Sequence, residues 1–252
     1  MPVDLNYLRD HLPARRIEWH DSLPSTMTEA TRLAAENAGH GTLVGADEQT
    51  SGIGRYGRHW HSEPESGIYI SVVLRLPFGV ERLPLVTLAL GLATAEAIQK
   101  ATDLHCDLRW PNDVLIGGRK CCGILTHLEA PAIIAGIGIN VNQESFPPEL
   151  ANIATSLRIA GGRTYKREPI VAELLLAIDS YCGILETQGR EPILRMFTQA
   201  SSYALGRRVE VDQGDSVLRG ITAGLNSSGY LLVRDNNGKQ HQIIAGGVRP
   251  CS

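Results

Sequence analysis

In the stretch SGIGRYGRHW, residues 51–60, Gly52, Gly54 and Gly57 stand at G-x-G-x-x-G spacing with Arg55 and Arg58 threaded between them. Backbone N–H groups left bare by glycine and fork-shaped guanidinium donors both suit a phosphate or a carboxylate. The spacing is that of a dinucleotide-binding fingerprint, but such a fingerprint closes a strand and opens a helix, so that pyrophosphate sits at the helix N-terminus. Here the next apolar segment is GIYISVVLRL, rich in branched and aromatic residues, which reads as a strand. The stretch is therefore expected to be an oxyanion-binding loop between two strands. No Walker-type G-x-x-x-x-G-K-[ST] competes with it.

Four further groups of residues could share such a site. In RWPND, Pro111 restricts Trp110 to extended geometry and so fixes how Asn112 and Asp113 enter the next strand, although a capped turn would use the same residues. Lys120 comes just after the GGR turn, where a strand can hold an ammonium at the mouth of a site. Gly123 interrupts the alternation of CCGILTHLE, as a close ligand approach or a bulge would require. GIGIN brings Asn140 and Asn142 to the end of a buried run, in reach of a base or a ribose, though a turn before FPP also explains them. His59 and His61 lack the carboxylate or Cys pair of a zinc set, and the metal ligands are left unassigned. Cys121 and Cys122, adjacent on a strand, are expected to face opposite ways. No G-x-S-x-G context supports a hydrolase triad.

The elements that must position these residues are legible in the hydrophobic periods. Met27, Ala30, Leu33 and Ala34 predict a first helix opening near Ser25 and Thr26 and stopping near Gly39. GTLVGADEQ predicts a strand, LPLVTLALGLATAEAIQKA a mostly buried helix, and LRWPNDVLIGGRKCCGILTHLEA two strands joined at Gly117-Gly118, with AIIAGIGINVN as a third. Two helices with Pro in the first turn, EPIVAELLLAIDSYCGILE and EPILRMFTQA, complete a larger lobe over residues 1–200. From residue 201 to 252 short apolar runs alternate with DQGD, NSSG and NNGK turns, which predicts a small all-β module.

Composition bounds the function. The 252 residues carry a formal charge of −3, 43% apolar and 20% charged side chains, so bulk nucleic-acid binding is disfavoured and any phosphate site must be a local cluster. Five cysteines without a C-x-x-C pair suit reduced thiols, and the N-terminus lacks an apolar signal core, which together predict a cytoplasmic protein away from membranes.

Taken in order, EQTSGIGRYGRHW, RWPNDV, KCCGIL and GIGINVN, with a β module ending GGVRP after them, resemble the biotin–protein ligases. The resemblance implies an α+β fold: a mixed, mainly antiparallel sheet flanked by helices, of the class II aminoacyl-tRNA synthetase kind, with a C-terminal SH3-like barrel. It implies attachment of biotin to a lysine of a biotin carboxyl carrier domain through biotinoyl-5'-AMP, with ATP cleaved to AMP and pyrophosphate, Mg2+ sharing the polyphosphate charge, and no tightly bound cofactor. The chain starts at the catalytic region, so the monofunctional kind without a DNA-binding module is expected, as is no DNA partner. A homodimer through the sheet edge is compatible but demanded by no pattern. By motif position Lys120, Arg55 and Arg58 are the catalytic set. Ser25, Thr26, Gln49, Gly52, Gly54, Arg55, Lys120 and Gly123 match biotin-binding positions. Arg55, Arg58, Trp60, Asn112, Asp113 and Asn140 match nucleotide-binding ones, with Trp60 as a wall near the adenine. The glycine loop is expected to order over the ligands. Three residues depart from the family pattern: Ile53 where Arg is usual, Arg109 where Lys is usual, and Met27 where Asn is common. A lipoyl or octanoyl ligase or transferase of the same fold, and a non-enzymatic biotin or nucleotide sensor, are the competing readings.

Overall fold

A computed structural model describes residues 2–214 and 216–251; Asp215, the last residue of the expected DQGD turn, lies outside the described residues. The chain opens with a helix the periodicity did not reveal, α1 (Leu5–His11), capped by the Asp4 carboxylate accepting from the Asn6 and Tyr7 N–H groups. Only Leu8 within it is buried, too little to leave an apolar period. β1 (Ile17–His20) leads to α2 (Thr26–Ala35), with Ser25 at its N-cap. α2 ends short of Gly39, and Asn37 soon takes the left-handed turn instead, at φ 64°. β2 (Leu43–Ala46) and β3 (Gly67–Leu74) flank the glycine loop as expected.

The long apolar run forms α3 (Leu83–Thr102). After it come three strands where two were expected: β4 (Asp107–Arg109), β5 (Asp113–Ile116) and β6 (Arg119–Glu129). Trp110, Pro111 and Asn112 separate the first two, and Gly117 and Gly118, both at positive φ, make the β5–β6 hairpin. β7 (Ala132–Asn140) precedes a short α4 (Leu157–Gly161), then α5 (Arg167–Thr187) and α6 (Arg190–Ala200).

These strands form one seven-stranded sheet in the order β1-β2-β3-β7-β6-β5-β4, parallel only between β1 and β2. Its two faces can be read from the alternation along β7. Ile133, Ala135, Ile137 and Ile139 enter the main core with α3 and α5, whereas Ala132 and Ile134 meet α2 in a smaller cluster. Gly136, Gly138 and Asn140 continue along the α2 face, beyond the end of that cluster.

The C-terminal strands β8 (Leu205–Asp212), β9 (Val217–Leu225), β10 (Leu231–Asp235), β11 (Gln240–Ile243) and β12 (Gly247–Pro250) form a second, antiparallel sheet in the order β11-β10-β9-β8-β12. Its buried Val209, Val211, Leu231 and Val233 belong to the same apolar cluster as α3. The Trp110 indole N–H donates to the Gly229 carbonyl at 2.9 Å, fastening this sheet to the RWPND segment.

Candidate active site

A cleft of about 660 Å³ opens on the α2 face, between the glycine loop, the β5–β6 hairpin, residues 150–154 and the edge of the C-terminal sheet. Its floor is set by register. Asp113, Gly123, Gly138 and Tyr69 are successive partners across β5, β6, β7 and β3, so they share one face. With hydrogen in place of side chains at Gly123 and Gly138, the Trp60 indole lies flat against both. A Cβ at either position would come within 2.8 Å and 2.5 Å of its ring carbons. One tier along β7, Gly136 receives the Met27 thioether, whose sulfur would lie 2.5 Å from an added Cβ. Met27, a departure from the family pattern, thus fills space at the α2 end of the floor.

Lys120 reaches the cleft because the sheet has a fault in it. Val114 pairs with Cys122 and Leu115 with Lys120, so Cys121 is an extra residue in β6. Strict alternation from Gly123 would turn Lys120 into the core. The bulge restores it to the cleft face, and Cys121 and Cys122 are both fully buried in the same apolar cluster. They therefore do not face opposite ways. Hydrogen bonding to the Cys106 thiol, with burial, pushes Cys121 up, and burial pushes Cys122 up, which leaves both as unreactive thiols. The segment after β7 locks the bulge from outside: Lys120 N–H donates to Ile153 O at 2.8 Å and Thr155 N–H to Lys120 O at 2.9 Å.

The Asp113 carboxylate holds two cations, Lys120 Nζ at 2.5 Å and Arg109 Nη2 at 2.7 Å. Burial alone would raise its pKa, but the two positive neighbours outweigh it and hold the carboxyl below the usual carboxylate range. Arg109, the second departure, thus has a defined partner. Lys120 Nζ also lies 5.4 Å from the Trp60 ring centroid.

Over this floor the glycine loop folds back on itself. Gly54 N–H donates to Arg58 O at 2.7 Å, Trp60 N–H to Gly52 O at 2.9 Å, and Ile53 bridges His59. Tyr56 and Gly57 make the turn with φ of 59° and 70°. Arg55 Nη1 donates to Asn112 Oδ1 at 3.0 Å, and Asn112 Nδ2 to Ile124 O at 2.8 Å. The Arg58 guanidinium has no ion pair among the described residues, and Ile53 is half exposed at the rim. The lining carries five cations, Arg55, Arg58, Arg109, Lys120 and Arg249, against Asp113 and Asp212, a surplus suited to polyphosphate.

At the other end Gln49 Oε1 accepts from Thr26 N–H at 2.8 Å and Thr26 Oγ1 at 3.1 Å, and Thr26 Oγ1 meets Ser71 Oγ at 2.9 Å. Thr26, Gln49, Gly54, Arg55, Arg58, Trp60, Asn112, Asp113, Lys120, Gly123 and Asn140 all line the cleft. Ser25 and Gly52 lie behind the lining: Ser25 Oγ is buried without a partner, and Gly52 packs under Trp60. Asn142 is not drawn in. Its amide donates to Tyr165 O and accepts from Tyr165 N–H, a clamp on the next loop, while Asn140 Nδ2 donates to Thr155 O. The 150–154 wall is a contribution no local motif announced, and Gly246–Pro250, the GGVRP end of the β module, was expected as part of the module but not at the cleft rim.

The profile of the Biotin/lipoate A/B protein ligase family matches residues 19–144, and that of the biotin protein ligase C-terminal domain matches residues 204–248. The chain is 36% identical to the bifunctional ligase/repressor BirA of Bacillus subtilis over 92% of this chain and 73% of that protein. It belongs to the biotin protein ligase family. Among other members it is 32% identical to the biotin–[acetyl-CoA-carboxylase] ligase of Mycobacterium tuberculosis, over 98% of this chain and 95% of that one. The biotin protein ligase of Aquifex aeolicus in complex with biotin and ATP superposes with a TM-score of 0.84 at 30% identity, over 94% of this chain and 99% of that one. The family assignment covers both sheets, and the α+β architecture expected from the motifs is the one observed.

Proposed function

We propose that this cleft joins biotin to ATP as biotinoyl-5'-AMP and passes the acyl group to a lysine of a biotin carboxyl carrier domain. The observation that carries the reading is Lys120, turned by a bulge onto a glycine floor, held at 2.5 Å by Asp113, beneath a loop bearing Arg55 and Arg58. ATP and biotin are the ligands named in the Aquifex aeolicus complex, and acetyl-CoA carboxylase is named for the Mycobacterium tuberculosis relative.

In the first step a biotin carboxylate oxygen attacks the α-phosphorus of ATP, and the bond to pyrophosphate breaks. Both reactants are anionic, so the site must hold them together against repulsion. Lys120 bridges the carboxylate and the α-phosphate, and Asp113 keeps its ammonium in place. Arg58, without an ion pair among the described residues, takes phosphate, and Arg55, fixed on Asn112, closes over the adenylate. Trp60 walls the junction between acyl chain and nucleotide, and Asn140 lies toward the nucleotide end. Thr26 and Gln49 hold the ureido end, with Ser25 and Gly52 supporting them from behind. In the second step a carrier lysine amine attacks the acyl carbon, AMP departs, and the amine gives up a proton as the amide forms.

Both Asp113 oxygens are taken by Lys120 and Arg109, which leaves Asp212 as the other carboxylate in the described cleft lining. Magnesium enters this reading with the nucleotide, on its phosphates. The carboxylate–histidine cluster of Glu18, His20 and Glu29 lies on β1 and α2, outside the cleft. Residues 1–200 form the catalytic part and residues 201–252 a module that completes the cleft rim. No helix among the described residues is long and apolar enough to cross a membrane, and the five free cysteines support a cytoplasmic location. ATP–pyrophosphate exchange tests the reading. Biotin-dependent exchange is expected; lipoate-dependent exchange would favour a lipoyl ligase, and none at all a sensor.

A further inference from the structure

One contact in the cleft belongs to neither the glycine floor nor the charged hairpin. The Tyr56 hydroxyl accepts two hydrogen bonds at once, from Arg55 Nη2 at 2.9 Å and from the Gly246 N–H at 2.9 Å. The first comes from its own loop, the second from the turn before β12 in the C-terminal sheet. The Arg55 guanidinium also lies 4.9 Å from the Tyr56 ring centroid, so one side chain braces the loop's arginine by edge and by face. Both ends of the link sit in conformations that side chains avoid. Tyr56 holds φ 59°, where Gly or Asn would be easier, and Gly246 holds φ 139°, where an added Cβ would meet Asp212 O at 2.6 Å. Tyr56 is 64% exposed, so burial does not explain a tyrosine there. The two hydrogen bonds do.

We infer that Tyr56 is a positioning residue that latches the glycine loop to the C-terminal module through Gly246 and aims Arg55 across the cleft at Asn112, so that the module governs how long the acyl-adenylate is retained. Arg55 then has two fixed nitrogens, Nη1 on Asn112 and Nη2 on Tyr56. Without the hydroxyl one of them is free, and the module no longer touches the loop through this side chain. In this proposal synthesis of the adenylate depends chiefly on Lys120 and Arg58, neither of which is hydrogen-bonded to Tyr56 among the described residues, whereas Arg55 closes over the product. Its retention depends on the loop staying shut.

This inference rests on the ligase reading, which pyrophosphate exchange by the unaltered protein tests on its own. The variant is Tyr56→Phe, which keeps the ring and loses only the hydroxyl. The readout is partition: AMP formed per carrier domain biotinylated, and the rate at which pre-formed labelled biotinoyl-AMP leaves the enzyme. Loss of hydrogen bonds of this kind predicts release about tenfold faster and a matching rise in AMP formed without transfer, with biotin-dependent exchange within about twofold of the unaltered protein. Gly246→Ala, which displaces the donor, should give the same leak, and the double variant should add little to either. Unchanged partition in Tyr56→Phe overturns the latch. Loss of exchange by more than tenfold also overturns it, since Tyr56 would then be contacting the reacting groups directly. Additive effects of the two substitutions would break the proposed link between them.

Discussion

The two long walls of the cleft carry similar charges and are built in opposite ways. The β5–β6 hairpin places Asp113, Arg109 and Lys120 by sheet register, a bulge and a second strand-like segment docked at Ile153 and Thr155. The glycine loop places Arg55 and Arg58 by a left-handed turn, backbone hydrogen bonds within the loop and two side-chain hydrogen bonds on Arg55. Both walls present cations to the same space, but only the first is braced by strands of the main sheet. A group that must meet developing negative charge gains from being fixed before the reaction, because no reorganisation is then needed. A group that must admit two substrates and release a product gains from being held weakly. On this view the hairpin, with Arg58, sets the rate of adenylation and the latched Arg55 sets the fate of the adenylate.

The sharpest way to break that division is Lys120→Ala. Adenylate synthesis should fall by about 10²–10³-fold in kcat with the far-ultraviolet spectrum and melting temperature close to those of the unaltered protein. Near-normal exchange would remove the hairpin from the chemistry. Gly138→Val tests the floor that both walls share: its side chain would enter the space of the Trp60 indole, and the KM for biotin should rise by about a hundredfold. An unchanged KM would mean that Trp60 does not define the seat.

Asp113→Asn probes the stiffness of the hairpin directly, because it leaves Arg109 and Lys120 without a counter-charge. The carboxylate is 17% exposed, and urea unfolding at neutral pH should show a loss of about 2 kcal/mol. The pH dependence has a definite sign. Because the folded-state pKa is lowered, the carboxylate's contribution is complete above about pH 4, the unfolded value, and disappears as pH falls through the folded pKa. The gap between Asn variant and unaltered protein should therefore be flat near neutrality and close only in strong acid. A gap that closes between pH 7 and 5 would contradict the ion triad. The smallest effect is expected from Ile53→Arg, which adds a donor to the soft wall. It should lengthen adenylate retention by about threefold and leave the rate of its synthesis unchanged.

The same contrast explains what the sequence disclosed. β3, β7 and α3 are long runs buried along most of their length, so their apolar patterns are strong, and Gly117-Gly118 names its own hairpin. The motif residues were legible as a set because they are local: GRYGR, WPND and Lys120 each lie within one turn or strand. α1, β4 and α4, at seven, three and five residues, are too short to show a period. The bulge at Cys121 was hidden for another reason. The break in alternation at Gly123 allowed either a bulge or a close approach, and only pairing with β5 shows that the extra residue is Cys121 while Gly123 takes the Trp60 ring. The 150–154 wall and the Tyr56–Gly246 contact join positions far apart in the chain, and nothing in either segment specifies the other.

The bulge in β6 makes the site depend on arithmetic more than on chemistry. Whether Lys120 faces the substrates or the core is decided by whether the extra residue before Gly123 is looped out of the pairing with β5, while the buried thiol at that position takes no part in the reaction. Another small apolar residue at 121 would leave the count intact and the ammonium in the cleft. Removing that residue altogether would leave Lys120 two positions from Gly123, on the same face by plain alternation and still opposite Leu115 in an unbroken ladder. For this strand the quantity under constraint is the pairing with β5, and the change that turns the lysine inward is one that keeps the extra residue and loses the bulge.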